Sequence, residues 1–410
     1  MSVTQHRFVR FAPWLLLALA AGVAVRIGLS TDSGLAAMSD ARIYRAGAVA
    51  WWNGEDLYNS YFHGGGNPAL YTYPPFSVLP LGAILAVYPL GFLLLTAGSV
   101  GLLFHIMLLV LDRLRQGLPY RYLIAAIATL CAVQLEPVTQ TLFWGQINIL
   151  LLWLVAFDCL HRHPGLPRGV LVGVAAALKL TPLVFVLFFL LGKEFKPVLY
   201  AALSFVVCTG LGWLIAPRDS LTFWTSSVWA PGRVGNGSLA GNQSLRGMLS
   251  RLGLSGEAVA LWWLALGAVV VAVSAVIVFR YRRAGRDVPA FLSTAAVGTL
   301  SSPMSWSHHW VWLCPLLFAL VLKLDRRPSM IMVALTAAGG SAVLALHWRY
   351  SPSPDAPWWT HVVGESYTWV ALGMLACLTV LSPDRNPPTA RSATAPVSTT
   401  GRGSPRPPGK

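Results

Sequence analysis

Apolar residues recur along this chain in runs of membrane-spanning length, separated by short polar stretches, from Phe11 to Leu381. A spanning helix needs about 20 mostly apolar residues. On that measure the runs predict segments at 11–29, 76–111, 121–136, 141–160, 168–191, 197–216, 258–279, 288–303, 309–322, 329–347 and 366–381. The first follows Arg7 and Arg10, and its length predicts an uncleaved helix rather than a removed signal peptide. The run 76–111 exceeds one span and holds Pro80 and Pro89, so a broken span with an interfacial piece is expected. The run 168–191 carries Lys179-Leu180-Thr181-Pro182 at its centre, between Arg168 and Lys193. One straight helix would leave a lysine and a proline in mid-membrane, whereas two half-helices, 168–178 and 182–191, return the chain to the side it came from. The expected fold is an all-α polytopic membrane protein with about 12 membrane segments, one of them this re-entrant hairpin. Its expected organisation is a cytoplasmic amino terminus (1–10), a membrane domain (11–382) with external loops 30–75 and 217–256, and a disordered cytoplasmic tail (383–410) rich in Pro, Ser, Thr and Arg.

Composition narrows the class. Of 410 residues 55% are hydrophobic and 11% charged, against about 25% charged in soluble domains, which excludes a soluble globular enzyme. A net charge of +15 would suggest nucleic acid in a soluble chain. With the amino terminus inside and 168–191 re-entrant, the excess positive charge falls on the cytoplasmic side, as membrane topology demands, and no nucleic-acid partner is required. The five cysteines lie in or beside apolar runs without a CxxC pair, so packing rather than disulfide or zinc chemistry is expected.

The informative polar clusters all fall on the outer face or just beneath it, where one cavity could gather them. Asp40, followed by Arg42 and Tyr44, opens a short interfacial helix that Ser39 or Asp40 could cap. A carboxylate at that position is also a natural general base. Tyr71-Thr72-Tyr73-Pro74-Pro75 precedes the second span; interfacial aromatics are ordinary belt residues, yet they also stack on sugar faces. Gln146 and Asn148 place amides at the outer end of a span, where joining helices is the ordinary role. Lys179 is costly in hydrocarbon and marks either a functional site or a paired charge; a phosphate-bearing ligand would suit it. Ser302-Pro303 leads through Trp306 and Ser307 to His308 and His309. Adjacent histidines on a helix point about 100° apart and no carboxylate completes a set, so no metal is expected.

Together these pieces resemble glycosyltransferase family 87. The resemblance rests on Asp40 after the first span, Tyr73-Pro74-Pro75, Gly145-Gln146-Ile147-Asn148, Ala177-Leu178-Lys179-Leu180-Thr181-Pro182, Gly241-Asn242-Gln243-Ser244-Leu245, and Ser302-Pro303 running into Trp306-Ser307-His308-His309. It implies the GT-C membrane fold, no cofactor, a polyprenyl-phosphate-mannose donor and a mannosylated phosphatidylinositol acceptor among the membrane lipids. The expected activity is an inverting α-1,2-mannosyl transfer at the outer face of the plasma membrane. By that resemblance Asp40 is the expected base. Lys179, His308 and His309 are expected at the donor phosphate, and Arg42, Tyr44, Tyr73, Gln146, Asn148, Asn242, Gln243 and Trp306 at the substrates. Lipomannan branching and arabinose transfer share the pattern. A lipid-linked sugar flippase, from another class, would need inverted repeats, and no second copy of the Asp40 or His308-His309 segments is found.

Overall fold

A computed structural model describes residues 3–30, 38–65, 68–161, 165–324, 330–350 and 353–383. The tail expected after residue 383 lies outside them. The regular structure of the described chain is helical apart from one short antiparallel pair, Tyr61–Phe62 with Ala69–Leu70, and an isolated bridge between Asn242 and Trp306. The helices are α1 (Val3–Gly28), α2 (Ser39–Trp52), α3 (Val78–Leu85), α4 (Leu90–Leu114), α5 (Arg121–Ala132), α6 (Glu136–Trp144), α7 (Asn148–Leu160), α8 (Val170–Leu178), α9 (Val186–Leu191) and α10 (Phe195–Ile215). They continue as α11 (Pro217–Thr225), α12 (Leu245–Arg251), α13 (Gly256–Arg283), α14 (Asp287–Leu300), α15 (Leu313–Leu324), α16 (Met330–Leu344), α17 (Leu346–Arg349), α18 (Trp358–Gly364) and α19 (Ser366–Val380).

Among the described residues four helices are long and apolar enough to cross a bilayer: α1 from Phe11, α4, α10 and α13. The number rises to six if the bent pairs α5–α6 (72°) and α18–α19 (71°) each make one span. The described helices thus supply four to six spans by length and composition, against the expected count of about 12 segments including the re-entrant hairpin. The reason is local: proline, glycine and polar residues divide the apolar runs into pieces of 6 to 15 residues, and hydropathy alone does not register a bend. The run 76–111 breaks at residues 86–89 into α3 and α4, and the polar stretch 30–75 contains α2. Only 17% of the apolar window of α10 is buried, with Leu199, Leu203, Val206, Val207 and Leu214 exposed. A broad apolar face of that kind marks contact with lipid.

The segment around Lys179 doubles back. A straight helix would hold residues 168 and 194 about 39 Å apart at 1.5 Å per residue. Instead, Arg168 Nη1 lies 2.5 Å from Glu194 Oε1. Gly169 also presses so closely on Pro197 that any Cβ there would sit 1.9 Å from its carbonyl oxygen. Its φ of +99° adds a second reason for glycine at this position. Asp158 accepts the amide hydrogens of Gly169 (2.6 Å) and Val172 (2.8 Å), which satisfies the first turn of α8. Arg282, at the end of α13, pairs with both Glu194 and Asp287. These ion pairs tie the open end of the hairpin to the start of α14, leaving Lys179 at the opposite end, where α8 stops.

Candidate functional site

At the Lys179 end a cavity of about 630 Å³ opens between α2, the turn before α3, the end of α6, and the loops 227–241 and 302–309. Eight of the expected residues line it: Asp40, Tyr44, Tyr73, Gln146, Lys179, Trp306, His308 and His309. Asp40 is the one carboxylate on its wall among the described residues.

Asp40 sits in the first turn of α2, but neither it nor Ser39 caps the helix. The cap is Met38, held in the left-handed region (φ 61°) without a side-chain capping bond, while its amide donates to the carbonyl of Phe143 at 2.7 Å. The capping role anticipated for Asp40 is thus absent. Its carboxylate instead accepts the Gln146 Nε2 hydrogen at 2.5 Å. That amide is oriented from behind, because Tyr44 and Tyr73 both place their hydroxyls 2.8 Å from Gln146 Oε1. Gly145 makes the approach possible. It ends α6 at φ +67°, and a Cβ there would meet Ala41 Cβ at 2.7 Å and Met38 Sδ at 2.8 Å. Burial raises the Asp40 carboxyl to about 6, against the opposing pull of the Gln146 hydrogen bond and the charge of Lys179.

Lys179 ends α8 in an extended conformation. Its ammonium lies 3.2 Å from Asn148 Oδ1, 3.0 Å from His309 Nε2 and 5.2 Å from the centroid of the Tyr73 ring. A charged lysine only donates, so His309 must offer a lone pair at Nε2 and carry its proton on Nδ1. Two of the three ammonium hydrogens are thus directed at protein acceptors. His308 differs from its neighbour: its Nε2 is buried with no protein partner, on the cavity wall. The two imidazoles meet edge to face, 4.8 Å between centroids. Beyond Lys179 and His309 lies a second, mostly apolar pocket of about 90 Å³, bounded by Leu151, Val155, Phe185 and Trp312.

Four expected residues stand off the cavity. Asn148 lies behind Lys179, its Nδ2 donating to the His308 carbonyl at 2.9 Å. Asn242 and Gln243 are fully buried and spend their amides on backbone. Asn242 accepts from Ser305 N (2.9 Å) and donates to Gly237 O (2.8 Å); Gln243 donates to Ala240 O and Gly364 O. They pin the loop carrying Trp306 rather than meet a ligand. Arg42 is exposed on another face of α2, with its guanidinium 6.0 Å from the Phe92 ring centroid. Among the lining residues that escaped the sequence reading are Arg233 and Trp348. Neither stands in a motif, and only the folding back of the outer loop and of α17 brings them in.

The sequence profile of glycosyltransferase family 87 matches residues 71–304, a stretch carrying most of this cavity. A relative in Mycobacterium tuberculosis is 34% identical over 93% of this chain and 95% of its own length. The chain belongs to glycosyltransferase family 87. That relative is a polyprenol-phosphate-mannose-dependent alpha-(1-2)-phosphatidylinositol mannoside mannosyltransferase. A protein of the same description in Mycolicibacterium smegmatis is 35% identical over 84% of each chain. A third relative in that organism, described as acting on the pentamannoside, is 29% identical over 71% of this chain and 68% of its own. Among solved structures, ArnT from Cupriavidus metallidurans bound to undecaprenyl phosphate aligns with a TM-score of 0.43 at 16% identity, covering 89% of this chain and 76% of that one. A likeness so distant carries no argument. Family membership makes the chain a membrane glycosyltransferase.

Proposed function

We propose that this glycosyltransferase, in the GT-C arrangement, transfers mannose from polyprenyl-phosphate mannose to the 2-hydroxyl of a mannosylated phosphatidylinositol, with inversion, at the outer leaflet. The observation that carries the reading is the placement of Asp40 alone among carboxylates on a cavity wall that also holds Lys179 and the unpartnered His308 Nε2. In the step, Asp40 takes the proton from the acceptor hydroxyl as its oxygen bonds to the anomeric carbon. The bond from that carbon to the phosphate oxygen breaks, and its electron pair leaves with the polyprenyl phosphate. A β-linked donor then yields an α-linked product. Charge growing on the leaving phosphate is met by Lys179 and by His308 Nε2–H, with His309 and Asn148 aiming the ammonium. The apolar pocket beyond Lys179 accepts the first part of the prenyl chain, leaving the phosphate at the junction between the two spaces. The outer-face assignment follows from charge: Arg280, Arg282, Arg283 and Arg286 gather at the end of α13 away from the cavity, and basic residues favour the cytoplasmic side.

The test is direct. Purified protein in detergent is incubated with radiolabelled polyprenyl-phosphate mannose and a panel of phosphatidylinositol mannosides, followed by linkage analysis of the products. An α-1,2-linked product is expected. A folded preparation that transfers no mannose to any of the panel sinks the proposal.

A further inference from the structure

We infer that Trp348 is a stacking platform for a pyranose ring of the acceptor other than the one that reacts, and that buried Glu136 is the residue that sets its angle. The inference rests on the reading of the cavity as a mannosyltransferase site and deepens it on the acceptor side. Trp348 is 52% exposed although it lines the cavity, so an indole face is open to whatever enters. Its one polar atom is tied inward: Nε1 donates to Glu136 Oε1 at 2.7 Å. Glu136 is itself only 6% exposed and spends its oxygens entirely on protein, accepting also from Ser307 Oγ at 2.9 Å and from the Tyr367 hydroxyl. A tryptophan serving only as a membrane belt residue sits at headgroup level with its polar end in the wet layer and needs no buried carboxylate behind it. Here a buried carboxylate, itself held by Ser307 and Tyr367, fixes the indole nitrogen, which makes sense where the ring's angle matters.

Trp306, the tryptophan the sequence favoured, is less available. Gly235 and Gly241 pack against its benzo ring so closely that Cβ atoms would come within 3.0 and 3.2 Å. A Cβ at Gly241 would also meet the edge of Trp348 at 3.1 Å, so the two indoles share one glycine and Trp348 is left the more exposed. The cluster around Trp348 (Glu136, Ser307, Tyr367) is separate from the hydrogen-bonded set around the reacting centre, Asp40 with Gln146, Tyr44 and Tyr73. A ring stacked on Trp348 therefore does not compete for the place of the sugar being transferred. The apolar C–H face of a pyranose is the matching chemistry for an indole.

The test compares two acceptors on purified full-length protein with polyprenyl-phosphate mannose as donor: a phosphatidylinositol oligomannoside and octyl α-mannoside, which offers one ring only. Trp348→Leu should raise the KM for the oligomannoside by about tenfold, the scale expected when a stacked aromatic anchor is truncated. It should leave the donor KM and the KM for octyl mannoside unchanged. Trp348→Phe, which keeps an aromatic face, should recover most of the loss; should Trp348→Leu not fold, Trp348→Met takes its place. Glu136→Gln should weaken the oligomannoside in the same way but add nothing in the Trp348→Leu background, a coupling that a merely structural carboxylate would not show. An unchanged oligomannoside KM in a folded Trp348→Leu protein, or an equal rise for octyl mannoside, overturns the inference. Absence of transfer by the wild-type protein would instead overturn the mannosyltransferase reading, and this one with it.

Discussion

Replacing Asp40 by Asn separates chemistry from structure because the two respond in opposite directions. Asn keeps the size of the side chain and can still meet Gln146, but it accepts no proton at neutral pH. If Asp40 is the general base, transfer should fall by at least about 10²-fold, the lower end of what a positioned base contributes. Stability should move the other way. Burial raises the carboxyl from 3.8 to about 6, roughly two pH units, which is of the order of 3 kcal/mol at 1.36 kcal/mol per unit; water in the open cavity reduces the figure. For an acid whose folded value is raised, the native state holds the proton more tightly. The relative stability this confers is complete below 3.8 and is lost as the pH rises through about 6. At pH 8 the wild-type protein therefore carries the whole cost of a desolvated carboxylate, and Asp40→Asn removes it.

The assay pairs initial rates at saturating donor with melting of the detergent-solubilised protein at pH 8 and pH 5. The variant should be nearly inactive and melt no lower than wild type at pH 8, with its advantage shrinking at pH 5. In the wild type, kcat/KM should fall toward one-tenth for each unit of pH below about 6, as an essential base protonates. A folded Asp40→Asn protein working within about tenfold of wild type, or a wild-type rate flat from pH 5 to 7, would refute the assignment. Two other carboxylates of the outer region, Asp56 and Glu136, offer little refuge as the base. Asp56 accepts three hydrogen bonds within its own turn, from Tyr58 N, Asn59 N and Asn59 Nδ2, and Glu136 is spent on protein donors.

Lys179→Gln should lower kcat or raise the donor KM by about 10²-fold, the size of losing one electrostatic donor to the leaving group, with melting little changed; unaltered kinetics in a folded variant would remove Lys179 from the phosphate site. Gln146→Ala takes away a hydrogen bond that lowers the Asp40 carboxyl, so the acid limb of the pH–rate profile should shift to higher pH, and an unmoved limb would show that this bond does not tune the base. For topology, cysteines introduced at Asn236 and Pro354 in a cysteine-free background should react with an impermeant thiol reagent outside intact cells, whereas one at Gly285 should not. Labelling of Gly285 would place the cavity on the other face.

The hairpin around Lys179 was legible because its signal is energetic: a lysine and a proline in mid-run are intolerable in a straight span, and basic residues flank both ends. The packing of Arg168 on Glu194 bears out the doubling back. The number of spans was not legible. Hydropathy measures how apolar a stretch is, and α5 and α6 remain apolar on either side of a 72° bend. Of the site, residues with a strong local reason for their chemistry, such as Asp40, Lys179 and His308, fell on the cavity wall. Asn242 and Gln243 are polar for a different reason, because the backbone of the loop folded against them needs partners, and sequence alone does not tell an amide serving backbone from one serving a ligand. Trp348 was missed because a tryptophan between His347 and Arg349 at the end of an apolar run reads as an ordinary interfacial residue and carries no periodic or motif signal.

The same physics links the breaks between helices to the cavity. Irregular backbone at membrane depth is tolerated only where protein covers it or a water-filled cavity receives it. The places where helices stop early are therefore the places where a polar cavity can form: Met38 before α2, Gly145 after α6, Lys179 after α8, and the turn Ser307–Trp310 between α14 and α15. Each break interrupts the run of helices, and each delivers one member of the candidate site, respectively Asp40, Gln146, Lys179 and the histidine pair. Straightening any of these junctions would lengthen a helix and remove a ligand-facing group at the same time. The short helices are thus the structural cost of bringing a carboxylate, an ammonium and an imidazole together beside lipid.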